Sequence, residues 1–135
     1  MTLEQQFCSL ELAKRLKELG VKQESCFWWC DPSDGDKADV GFIRDNHVGY
    51  KVFYSAFTVA ELGLLLPWAI ESNFLEDPDK WLKIEKDENV DGSTRWNVGY
   101  QDEMSTDLFE VSDQTEADAR AKTLIYLLEN KIITL

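Results

Sequence analysis

The residues best suited to hold a metal are Cys8, Cys26, Cys30 and His47, the only histidine of the chain. Three thiolates and one imidazole have the stoichiometry of a structural zinc site. Spacing opposes it. Phe27-Trp28-Trp29, between two of the cysteines, has the composition of a strand. At roughly 3.3 Å per residue a strand would hold Cys26 and Cys30 about 13 Å apart. A tetrahedral zinc needs each sulfur at about 2.3 Å. The cysteines therefore read as small buried or half-buried reduced thiols, and only a turn at Trp28-Trp29 would reopen the zinc reading.

Calcium has two partial signals. Asp87-Glu88-Asn89-Val90-Asp91-Gly92 fits the first half of an EF-hand loop, but the twelfth position is Val98 instead of a bidentate glutamate, and the flanks read as strands. The expectation is a hairpin turn. Asp31, Asp34, Asp36 and Asp39 around Gly35 could collect a cation weakly, but their spacing fits no known loop, and a solvated acidic loop is expected. A nucleophilic mechanism would have to use His47, which reads as a surface loop residue. No nucleophile elbow, P-loop or dinucleotide fingerprint occurs, and the seven glycines stand singly. No catalytic residue, cofactor or metal is assigned.

The elements around these residues follow from pattern. Ser9 caps a helix to about Leu19, with Leu12, Leu16 and Leu19 on one face and Gly20 at the reversal. Glu11–Arg15 and Lys14–Glu18 are i,i+4 pairs on it. Strands are expected at 26–30, 40–43 and 50–54, with Pro32 and Gly35 in a loop after the first. Thr58 and Glu61 form a capping box for a short helix carrying Leu62, Leu65 and Leu66, and Pro67 kinks or ends it. Residues 81–86 and 95–100 alternate around the turn 89–93, giving an antiparallel hairpin that pairs Ile84 with Trp96 and Leu82 with Val98. Residues 108–111 add a short strand. Thr115 caps the longest helix, about Glu116 to Asn130, with a buried stripe of Ala117, Ala121, Leu124, Ile125 and Leu128. The fold class expected is α+β: one domain, 1–135, with a small antiparallel sheet of three to five strands, including the hairpin at about 81–100, packed against the N-terminal and C-terminal helices.

Charge narrows the partners. The 135 residues carry 26 acidic and 14 basic side chains, a formal net charge of −12. Such a chain repels phosphate backbones, so no direct nucleic-acid partner is expected. The acidity sits in residues 31–79 and in residues 102–118, where seven acids occur with no base. The start, Met1-Thr2-Leu3-Glu4-Gln5-Gln6, lacks the basic start and apolar middle of a secretory signal, and the longest apolar run, Leu62 to Ile70, is nine residues against the about 20 of a membrane span. The expected location is the cytoplasm, with no membrane partner.

Three segments in order, 9–20 (Ser-Leu-Glu-Leu-Ala-Lys-Arg-Leu-Lys-Glu-Leu-Gly), 57–63 (Phe-Thr-Val-Ala-Glu-Leu-Gly) and 115–122 (Thr-Glu-Ala-Asp-Ala-Arg-Ala-Lys), resemble a group of small uncharacterised proteins of phages, prophages and other bacterial mobile elements. The resemblance spans most of the chain. It implies a bacterial cytoplasm and an accessory role, and it brings no activity, cofactor or catalytic residue.

Two features then point outward. Trp28 and Trp29 are neighbours, so on a strand one ring enters the core and the other must be covered or offered to a partner. Asp102, Glu103, Asp107, Glu110 and Asp113 would form an acidic face if they shared one side. The leading expectation is a small acidic, non-catalytic accessory protein whose partner is another protein. The alternatives are a DNA-mimic inhibitor of a host nucleic-acid enzyme, steered by charge, and a metal- or carboxylate-dependent enzyme.

Overall fold

The computed structural model describes residues 2–32, 39–42, 50–71, 79–104 and 107–135. After a short 3-10 helix at Leu3–Gln6, the elements run α1 (Leu10–Glu18), β1 (Phe27–Pro32), β2 (Asp39–Phe42), β3 (Tyr50–Ser55), α2 (Val59–Leu65), β4 (Ala69–Ile70), β5 (Lys80–Glu88), β6 (Thr94–Gln101), β7 (Asp107–Asp113) and α3 (Glu116–Glu129). The fold is α+β, as the sequence predicts. The strands divide, however, into two antiparallel sheets, β2-β1-β3 and β4-β5-β6-β7. The first three strands pair among themselves, and α2 separates them in the chain from the four that follow.

Each helix starts where its cap dictates. Ser9 Oγ accepts from Leu12 N, Thr58 and Glu61 form the expected capping box, and Thr115 Oγ1 accepts from Asp118 N. α2 stops because Pro67 forces its predecessor out of the helical region, and Leu66 has ψ 125°. The expected i,i+4 pairs on α1 give way to an i,i+3 pair and to tertiary contacts. Arg15 binds Glu129 on α3 at 2.8 Å and Glu18 at 3.1 Å, and Lys14 lies over the Tyr54 ring. Tertiary partners displace a local pair that contributes only a few tenths of a kcal/mol.

The β5–β6 hairpin is present, with its register two residues from the expected one: Ile84 faces Val98, Leu82 faces Tyr100 and Lys86 faces Trp96. A shift of two leaves every side chain on its intended face. The turn sets it. Gly92, at φ +83°, sits late in the loop, and Asn89 N bonds Ser93 O at 2.8 Å, so Glu88 pairs with Thr94.

α3 is the central element. It packs on β6 and β7 and also on α1 and α2. Besides the expected Ala117, Ala121, Leu124 and Ile125, it buries Ala119, Thr123 and Leu127, while Leu128 is half-buried. Thr123 Oγ1 turns its hydrogen to Ala119 O at 2.8 Å, which lets a hydroxyl lie under the sheet. Toward α2, Gly63 lies beside Arg120: a Cβ there would stand 2.7 Å from Arg120 Nη1, and the guanidinium binds Glu116 at 2.6 Å. Tyr100, fully buried, donates from its hydroxyl to Pro67 O at 2.6 Å and ties the α2–β4 link to the sheet. Burial raises the Tyr100 phenol above its ordinary range.

α1 and α3 run parallel, joined at their starts by Ser9 N donating to Asp118 Oδ1 at 2.7 Å and near their ends by Arg15–Glu129. Burial raises the Asp118 carboxyl, with Asp113 adding to the effect, while the Ser9 N–H, Lys122 and the Thr115 hydroxyl oppose it. A folded pKa above the unfolded one means that the stabilising contribution is complete below the unfolded value and is lost as pH rises through the folded value. Asp118→Asn keeps an acceptor for Ser9 N without the buried charge. It is expected to melt above the parent at about pH 7, with the gap closing at about pH 3. A variant that melts below the parent at neutral pH would show that the charge itself is needed.

Candidate functional site

Of the tryptophan pair one ring reaches the core and the other is covered, so neither is fully exposed. Trp29 packs against the core and donates its indole N–H to Cys8 O at 2.9 Å. Trp28 is also half-buried, with its Nε1 closed off from solvent and without an acceptor among the described residues. Such an orphan donor costs about 1–3 kcal/mol. The exposed indole is Trp68, at 77%, which follows Pro67 at the end of α2. Sequence reading missed it because it lies within an apolar run that looks uniformly internal.

The five carboxylates of the acidic stretch are not brought onto one face. Asp102 is buried and pairs with Lys80 at 2.9 Å. Glu110 pairs with Lys83 on β5 at 3.0 Å, whereas Asp113 pairs with Lys122 on α3 at 2.5 Å, so these two leave β7 in different directions. Glu103 and Asp107 are exposed. Three of the five therefore have a lysine partner, and two of those lysines lie on β5. A segment free of bases in sequence is supplied with bases by its neighbours in space.

Cys8 and Cys30 are buried and Cys26 is exposed. Among the described residues, no group of three His, Cys, Asp or Glu side chains is placed to hold a metal ion. His47, Asp34, Gly35 and Asp36 lie outside the described residues, as do the side chains of Asp31 and Asp39. Residues 87–92 form the end of β5 and the hairpin turn, where Asp91 accepts from the Ser93 hydroxyl at 2.6 Å.

The best-formed apolar concavity lies where α1 ends. Val21, Phe57, Leu64, Leu65 and Leu135 line a groove of about 520 Å³, with Lys22 and Glu24 also at its wall. Its floor is fixed by Glu61. This one carboxylate accepts from Thr58 N at 2.8 Å, Ser25 Oγ at 2.9 Å and Cys26 N at 3.2 Å, joining α2 to the segment that enters β1. Because those donors use it, Glu61 is a structural brace here and not a spare acid. Leu64 is 88% exposed and Leu135 65%. The helical period accounts for this: Leu62 is fully buried, so Leu64 must project away from the core. The groove can accept an apolar side chain.

Set against family models, curated proteins and solved structures, the chain matches none. No helix among the described residues is long and apolar enough to cross a membrane.

Thiol chemistry separates the cysteines. Burial, reinforced by Asp118 and Glu61, pushes the Cys8 thiol up to about 12, so it stays protonated and unreactive at neutral pH. A disulfide reagent such as 5,5′-dithiobis(2-nitrobenzoate) is expected to titrate Cys26 quickly in the native protein, and Cys8 and Cys30 only after denaturation. Rapid native reaction of more than one thiol would contradict this burial.

Proposed function

We propose that the protein is a small non-catalytic interaction protein of a bacterial cytoplasm, of the phage or mobile-element type, that holds a protein partner through the apolar groove at the end of α1. The observation that supports this reading most is the exposure of Leu64 over a concavity lined by Val21, Phe57, Leu65 and Leu135. Its volume lies within the about 300–1,000 Å³ of ordinary binding sites. The occupant we infer is a partner segment that presents one or two large apolar side chains. The acidic surroundings, at a net charge of −12, favour basic residues flanking that anchor.

The competing reading is a decoy for the basic groove of a nucleic-acid enzyme. It would rely on unpaired carboxylates, and the lysine pairing of Asp102, Glu110 and Asp113 lowers the charge available to it. Salt separates the two, because exposed charge pairs weaken sharply with ionic strength and apolar contacts do not.

The test is capture from a bacterial lysate by the immobilised protein and by its Leu64→Glu variant, washed at low salt and at about 1 M salt. Leu64 is so exposed that the variant is expected to match the parent's stability within about 0.5 kcal/mol. The interaction reading predicts a partner retained through the high-salt wash and lost from the variant. A partner released by salt and indifferent to Leu64→Glu would favour the decoy and overturn the groove.

A further inference from the structure

At the opposite end of α1 and α3 from the groove lies a second, polar cleft. It comprises a cavity of about 650 Å³ and an adjoining lobe of about 170 Å³, both lined by Gln5, Thr94 and Gln114. Arg95 and Ser112 extend the larger part, and Lys86 and Trp96 the smaller. Four elements meet there: the 3-10 helix, the start of β6, the end of β7 and the entry to α3.

The charges in this cleft are unevenly committed. Asp113 and Glu116, the acids on its wall, are already bound to Lys122 and Arg120. Arg15 and Arg120 both have carboxylate partners, whereas the Arg95 side chain makes no ion pair or hydrogen bond among the described residues. In a chain with 26 acids and 14 bases, an arginine left without one is conspicuous. A guanidinium keeps its charge at any physiological pH, and its preferred ligand is an oxyanion. The other lining groups are amides and hydroxyls that both donate and accept, which matches a ligand's hydroxyl groups. Of the lining side chains only Trp96 is a large apolar surface, and its ring already has Lys86 5.9 Å from its centroid.

We propose that this cleft binds a small polyhydroxylated molecule bearing one oxyanion group, such as a sugar monophosphate, with Arg95 holding the anion and Gln5, Thr94 and Gln114 the hydroxyls. A polyphosphate is disfavoured by the overall negative charge, and an apolar ligand by the absence of aliphatic side chains from the lining. This site is separate from the groove and does not rest on the interaction reading.

The experiment is a nuclear magnetic resonance titration of the full chain with glucose 6-phosphate, using glucose and inorganic phosphate as single-feature controls. The site predicts saturable shifts at the amides of Thr94, Arg95 and Gln114 for glucose 6-phosphate, with weaker responses to either control. Arg95→Gln, at an exposed position, is expected to remain folded and to lose at least about tenfold in affinity for glucose 6-phosphate, while its response to glucose is unchanged. Absence of saturable shifts in the cleft up to about 10 mM would overturn the proposal. So would equal binding of inorganic phosphate, or an Arg95→Gln variant that binds like the parent.

Discussion

The helices α1 and α2 and the strands β6 and β7 are held together by the burial of α3 on two sides at once. A helix that meets a sheet on one side and two helices on the other needs small residues where backbones approach, and Ala117, Ala119 and Ala121 supply them within its first two turns. Larger side chains follow where the layers diverge: Leu124, Ile125 and Leu127 fill the space between α1, α2 and the sheet. Gly63 extends the same pattern to the neighbouring helix, where an added Cβ would press on the end of the Arg120 side chain. The parallel course of α1 and α3, fixed by Asp118 at one end and Glu129 at the other, then defines two ends of the molecule with different chemistry.

Much of the architecture was legible because it is local. The caps at Ser9, Thr58 and Thr115, the stop at Pro67 and the turn at Gly92 each depend on residues within a few positions, and each forms where expected. What was hidden is non-local. The strands divide into two sheets because β1–β3 and β4–β7 each pair among themselves and, among the described residues, none pairs across α2. The second buried face of α3 carries Ala119 and Thr123, residues that read equally well as surface. Arg15 shows the same limit in miniature: the sequence offers Glu11 as its partner, and the fold supplies Glu129.

The candidate sites divide along the same line. The tryptophan pair attracts attention in the sequence, yet the fold half-buries both rings, while Leu64 and Trp68, from a segment that reads as core, are among the exposed apolar groups. The acidic stretch 102–118 is similarly altered by its surroundings, because Lys80, Lys83 and Lys122 arrive from β5 and α3 to meet it. Charge counted along the chain therefore overstates the field that the folded surface presents. Arg95, an arginine without a carboxylate partner among the described residues, emerges only when pairing is read in three dimensions.

The dependence of the whole on α3 can be measured directly by native-state hydrogen exchange across a denaturant series. If α3 is the shared wall of both layers, its amides from Ala119 to Leu127 exchange only through global unfolding, with the full denaturant dependence of that transition. Exchange of those amides through a smaller local opening, while the β5–β6 hairpin stays protected, would contradict the account.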